Sequence, residues 1–115
     1  MNALLTLSRP FVADHFHDLP GFVEERHGHN WEAEASFLIH ALGQEAECAA
    51  ALEAWVAQVD YTLLNAQPGL RGRNPTAEAL AEWLFRYLEE RGRSALKVKI
   101  REKANYWAAC GRAES

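Results

Sequence analysis

The sequence predicts an α+β fold, a four-stranded antiparallel sheet with two helices on one face, in the order β-β-α-α-β-β. Three observations predict it. From His29 to Ile39 the odd positions are apolar, apart from His29, and the even ones mostly polar, which is the period of a half-buried strand. Two later stretches repeat apolar residues at i, i+3, i+4 and i+7, the period of an amphipathic helix. After them, alternation of period two returns. Neighbouring strands followed by neighbouring helices suit an antiparallel sheet covered on one side.

The first strand is expected over Leu4 to Ala13. Leu5, Leu7, Phe11, Ala13 and His15 share one parity, so a strand places them on one face. Pro10 marks an edge or a bulge, and Asp18 to Gly21 (DLPG) reads as a turn or loop. The second strand sets His29, Trp31, Ala33, Ala35, Phe37 and Ile39 against Asn30, Glu32, Glu34, Ser36, Leu38 and His40. Leu52, Trp55, Val56 and Val59 define the first helix, and Leu80, Trp83, Leu84, Tyr87 and Leu88 the second. Asn74, Pro75 and Thr76 offer the second helix a cap and a first-turn proline, while Arg91-Gly92 is its stop. Leu96 to Glu102 and Tyr106 to Arg112 supply the last two strands.

At 115 residues the chain suits a single domain, residues 1–115. A core this small makes association between copies a natural source of added stability. Hydrophobic residues at 49% and charged residues at 24% give a globular balance, which excludes a disordered chain. The net charge of −4 argues against a general nucleic-acid binder, because phosphate neutralisation needs clustered Lys and Arg. A small anionic molecule held by local cations is compatible with it. Cys48 and Cys110 are far apart and form no C-x-x-C pair, so a reduced cytoplasmic setting is expected. The N-terminal MNALLTLSRPF lacks the pattern of a signal peptide. No stretch approaches the roughly 18 to 20 apolar residues that span a bilayer, so no membrane partner is expected.

The chemistry concentrates in histidines. His27 and His29 are two apart, so on a strand their imidazoles point the same way and converge on one ion. Gly28 between them keeps the opposite side clear. His15 ends the first strand on its apolar face, and pairing of the first two strands brings it beside the other two. Three imidazoles and an open fourth position form the pattern of a catalytic zinc site, whereas a structural zinc is normally closed by a fourth protein ligand. His17 shares the parity of His15 but lies beyond the strand, and is read as a surface residue or a supporting one.

Phe11 to His15 (FVADH) followed by His27 to Trp31 (HGHNW) resembles the 6-pyruvoyltetrahydropterin synthase and 6-carboxytetrahydropterin synthase family. The resemblance runs on through Val59-Asp60, Leu63 to Asn65, Asn74 to Glu78 (NPTAE) and Glu102. It implies the tunnelling fold, trimers that close a β-barrel and stack into hexamers, Zn2+ on the three histidines, and 7,8-dihydroneopterin triphosphate as substrate. It also implies that Glu102 anchors the pterin, with Thr76 in the matching substrate-binding motif. Glu102 shares parity with Leu96, Val98 and Ile100, and a carboxylate on a core face needs a partner. The amino-pyrimidine edge of a pterin offers neighbouring N–H donors.

Two departures bear on the chemistry. Val23 stands where the family's cysteine usually lies, four residues before His27. Gly21 to His27 (GFVEERH) instead resembles a glutamate-type subgroup in which Glu24 takes over. That subgroup is associated with cleaving the side chain to 6-hydroxymethyl-7,8-dihydropterin on the folate route. Secondly, Asp60 is followed by Tyr61 and not by the family's histidine, and a tyrosine with an ordinary pKa of about 10 is a poor base near neutral pH. Asp60 and Tyr61 nonetheless occupy the catalytic positions. Arg26, Arg71 and Arg73 are candidates for the triphosphate. Three functions are therefore expected in order: a zinc-dependent lyase of the glutamate type, a 6-carboxytetrahydropterin synthase on the queuosine (deazapurine) route, and a non-catalytic zinc- and pterin-binding homologue.

Overall fold

The structure, a computed structural model, describes residues 2–112. Two long strands form its spine, β1 (Ala3–His15) and β4 (His27–Ile39), paired antiparallel along their whole length. Between them a small hairpin, β2 (Asp18–Leu19) and β3 (Phe22–Val23), stands apart as its own two-stranded sheet. Helix α1 (Gln44–Val59) follows, then β5 (Thr62–Leu63), two 3-10 turns, and α2 (Ala77–Glu90). Strands β6 (Lys97–Lys103) and β7 (Tyr106–Gly111) close the chain. The main sheet runs β5-β1-β4-β6-β7, and only the β1–β5 pair is parallel.

This is the expected α+β arrangement with four differences. The sheet has a fifth strand, since Thr62 and Leu63 pair with Ala13 and Asp14. DLPG is partly strand, with Leu19 across from Phe22 and a left-handed Gly21 in the turn. Thr76, and not Asn74, caps α2 by accepting from the Ala79 N–H, so Pro75 precedes the cap and lies outside the first turn. The first two long strands also extend to His15 and back to His27, which carries the ladder into the histidine positions.

The alternation decides which face is buried. Phe11, Ala13 and His15 of β1 and Trp31, Ala33, Ala35, Phe37 and Ile39 of β4 face the helices. The partnering even positions, Glu32 and Glu34 among them, face away. Alanines at 33 and 35 let the helices come close. The gap is filled by Leu52, Trp55 and Val59 of α1 and Leu80, Trp83, Leu84 and Leu88 of α2, all buried. Phe11 stacks on Trp31 at 5.8 Å and meets Trp55 edge-on at 5.6 Å, and Trp55 meets Trp83 at 5.3 Å. Each such side chain contributes about 1.5–3 kcal/mol through burial. No helix of the described residues is long and apolar enough to cross a membrane.

Gly69, in the 3-10 turn Pro68–Leu70, lies flat against this cluster. A Cβ there would stand 2.0 Å from Trp83 Cε2. The indole is packed on its other side and cannot retreat freely, and the Gly69 carbonyl is held by Arg86 Nη2 at 2.8 Å. Gly69→Ala is therefore expected to destabilise the fold by about 1–3 kcal/mol, the usual range for overpacking. A lower urea midpoint at unchanged slope checks it, and a midpoint equal to the parent's would contradict this packing.

Candidate metal centre

The β1–β4 register sets His15 opposite His27 and Ala13 opposite His29, so the three imidazoles gather at one end of the ladder on its core face. Ring centroids lie 4.6 Å apart for His15 and His27, 5.0 Å for His15 and His29, and 4.9 Å for His27 and His29. One nitrogen of each lies within 4.8 Å of the others.

The protein fixes how two of these rings present themselves. His15, only 1% exposed, donates from Nδ1 to the Pro75 carbonyl at 2.9 Å. His27 donates from Nδ1 to the Glu25 carbonyl at 2.9 Å. In both the bare Nε2 is left for the cluster, the arrangement by which supporting carbonyls orient metal-binding histidines. His15 Nε2 is buried and lacks a hydrogen-bond partner. Glu102 Oε1 lies 3.2 Å from it, but out of line for a hydrogen bond, so it does not satisfy that nitrogen. A buried, unpartnered ring nitrogen is costly, and a metal ion is the partner that would satisfy it. Burial also lowers the pKa of His29 below the ordinary histidine value; Glu102 opposes this, and His15, His27 and Lys103 add to it. A neutral imidazole is the form a metal requires. The three histidines thus fit a metal ion by geometry and by donor chemistry.

Gly28 between His27 and His29 points to the other face, where Asp14 lies over it. A Cβ at position 28 would come within 2.7 Å of Asp14 Oδ1, and Asp14 is itself paired with Arg26 Nε at 2.7 Å. A side chain at position 28 would push the Asp14 carboxylate aside and disturb its pairing with Arg26.

Glu102 reaches the cluster from β6. Glu32 pairs with Arg101, and one further step places Glu102 beside Trp31 on the core face. Its side chain is 13% exposed, and Oε1 stands 3.7 Å from His29 Nε2. Glu24 approaches from the loop after β3. Its Oε1 accepts from the His17 N–H at 3.1 Å, lies 3.2 Å from His17 Nδ1, and is 3.8 Å from His27 Nδ1. Loss of water around the carboxyl, the largest single influence, raises its pKa. The His17 backbone N–H and the His17, His27 and His15 rings together outweigh that and hold it below the ordinary carboxylate value. Glu24 is therefore ionised at neutral pH.

The loop that carries these groups is pinned by asparagines in the two motifs noted above. Asn65 accepts from the Phe16 N–H at 3.0 Å and donates to the Phe16 carbonyl at 2.9 Å. Asn74 does the same for Asp18, at 2.7 and 3.1 Å.

The remaining expected site residues lie elsewhere in the chain. Asp60 accepts from the Val12 N–H at 2.8 Å, and the Tyr61 N–H donates to the Val12 carbonyl at 2.6 Å, so both sit on the edge of β1. Tyr61 is 82% exposed with a left-handed backbone, φ 58°, and the fold does not bring it to the three histidines. The Thr76 oxygen caps α2, next to the Pro75 carbonyl that holds His15. Arg26 and Arg73 are paired with Asp14 and Glu82, and Arg71 ends a 3-10 turn. His17, read from sequence as a surface or supporting residue, is the partner of Glu24. A histidine and a glutamate flanking a short D-L-P-G-F-V hairpin was the available signal.

The model of the family 6-pyruvoyl tetrahydropterin synthase matches residues 5–113. No curated protein is significantly similar to the chain in sequence. Among solved structures, 6-pyruvoyl tetrahydropterin synthase from Caenorhabditis elegans superposes with a TM-score of 0.79 at 15% identity, covering 98% of this chain and 97% of that one. A Plasmodium vivax 6-pyruvoyltetrahydropterin synthase with a catalytic glutamate changed to alanine superposes with a TM-score of 0.71 at 16% identity, covering 97% and 98%. At such identities the likeness is one of fold, and the fold is theirs.

Proposed function

Because the chain belongs to the 6-pyruvoyl tetrahydropterin synthase family, we propose that it is a zinc-dependent lyase acting on 7,8-dihydroneopterin triphosphate and cleaving its side chain to 6-hydroxymethyl-7,8-dihydropterin. The observation that supports this reading is the ionised Glu24 carboxylate 3.8 Å from His27, one of the three clustered histidines. A glutamate is a catalytic residue of the Plasmodium vivax protein, and Glu24 takes that part here.

In this reading His15, His27 and His29 hold the zinc. Bound there, zinc supplies Lewis acidity that favours the deprotonated form of a side-chain hydroxyl. Glu24 accepts the hydroxyl proton as general base. Its lowered pKa makes it a weaker base than an ordinary glutamate, but keeps it ready in the ionised form. Glu102, nearly buried and without a hydrogen bond to any described residue, is the acceptor for the N–H edge of the pterin and fixes the ring relative to the histidines, a positioning effect. Thr76 accepts from Ala79 and its O–H is already engaged by the Glu78 carboxylate, so in this reading a substrate group at Thr76 would compete with Glu78 for that proton.

Asp60 and Tyr61 face away from the histidines of their own chain, so in this reading they serve the site of a neighbouring copy. The outer edge of β7 has no strand partner among the described residues, and β1 is covered by β5 only at Ala13 and Asp14. Pairing of such edges between copies would satisfy their backbone groups in a trimer or a hexamer.

The test is product analysis. Zinc-loaded protein incubated with 7,8-dihydroneopterin triphosphate is expected to yield the hydroxymethyl pterin, identified by chromatography and mass. A carboxytetrahydropterin product would replace this reading with the 6-carboxytetrahydropterin synthase. Bound but unchanged substrate would replace it with a binding homologue.

A further inference from the structure

His17 has no part in the reading above, yet its contacts single it out. Residues 17 and 24 flank the hairpin in which Asp18 faces Val23 and Leu19 faces Phe22, so they form its next rung outward. The Glu24 N–H donates to the His17 carbonyl at 2.9 Å, as a rung requires. The return bond is different: the His17 N–H donates to the Glu24 side chain, not to its backbone. The His17 ring lies on the same oxygen, Oε1, at 3.2 Å. Backbone and side chain of one residue thus capture one oxygen of Glu24, while Oε2 has no hydrogen-bond partner among the described residues.

The platform is fixed. Asn65 clamps Phe16 and Asn74 clamps Asp18, so the backbone of His17 is held from both sides. The hairpin tip is exposed, with Leu19, Phe22 and Val23 in solvent. Without the His17 ring the Glu24 carboxylate would keep only the backbone N–H bond at Oε1 and would be free to swing about it.

We propose that His17 is a positioning residue that holds Glu24 by Oε1 and turns Oε2 toward the substrate. This rests on Glu24 being the base, and the experiment separates the two ideas. Turnover of 7,8-dihydroneopterin triphosphate is measured for His17→Ala, His17→Asn, Glu24→Gln and the double variant Glu24→Gln/His17→Ala, with zinc content and thermal midpoint measured for each. His17→Ala is expected to lower kcat about ten- to a hundredfold with little change in KM, because misplacing a reacting group by an ångström costs on that order. His17→Asn, which keeps an N–H donor near the position of Nδ1, is expected to recover most of it. The double variant is expected to be no slower than Glu24→Gln, since residues acting as one unit are not additive. His17→Ala turning over like the parent while Glu24→Gln is slow would overturn the positioning role and leave Glu24 standing. Glu24→Gln turning over like the parent would overturn both. Equal losses in the Ala and Asn variants, together with lost zinc or a lowered midpoint, would make His17 a purely structural residue.

Discussion

Glu24→Gln is expected to reduce turnover about a hundredfold to ten-thousandfold, the contribution of a placed general base, with the fold intact. The side chain lies outside the apolar core, on the loop after β3, and its partners are the N–H and ring of His17. Glutamine keeps the size and an acceptor oxygen for the His17 N–H, so the loop should hold its shape. What it loses is the capacity to take a proton. Zinc content and pterin binding should therefore match the parent's while kcat falls. Glu25→Gln is the control. Its side chain is exposed, and its structural contribution is a backbone carbonyl that receives His27 Nδ1, which the substitution keeps. A silent Glu24→Gln beside a slow Glu25→Gln would show that the wrong carboxylate had been assigned.

His15→Ala is expected to abolish activity and to take most of the zinc with it. Of the three histidines it is the most deeply buried, and its Nε2 is the one fully buried without a hydrogen bond. Water cannot readily replace a ligand in that position. The substitution also leaves the Pro75 carbonyl without its donor, at a cost of about 1–3 kcal/mol. Some stability should be lost even in metal-free protein. His27→Ala removes a half-exposed ring and should cost less stability for a comparable loss of zinc. Elemental analysis beside thermal melts with and without chelator checks both. Full zinc content in His15→Ala would refute the assignment of the centre.

The long elements were legible because each has a period. Thirteen-residue strands and helices of four turns repeat their burial often enough for parity and i, i+3, i+4 spacing to show. Strands β2, β3 and β5 have two residues each, too few for any period. The histidine cluster was legible because two of its members share a strand face and the third ends the neighbouring strand. The contact of Glu102 with that cluster was not, since it depends on the β4–β6 register. The pairing of His17 with Glu24 was missed because it depends on a hairpin rung formed by the least periodic part of the chain. The exposure of Tyr61 follows from a single left-handed residue after α1, which no pattern announces.

The clamps on the loop after β1 set an order of events during synthesis. His15, Phe16 and Asp18 are fixed by residues 60, 49 and 56 positions later in the chain. Until Asn65, Asn74 and Pro75 have emerged from the ribosome, His15 has no set tautomer and the His17 backbone no fixed place. The β1–β4 ladder can close much earlier, because its two strands adjoin in sequence, and long-range contacts are the slower ones to form. A metal ion arriving on a partly made chain would therefore meet His27 and His29 already side by side on β4, with the third ring still free to turn. Faithful loading of the proposed centre would then await the completed chain, and the segment just before α2, which sets the third ring, is the part that completes it.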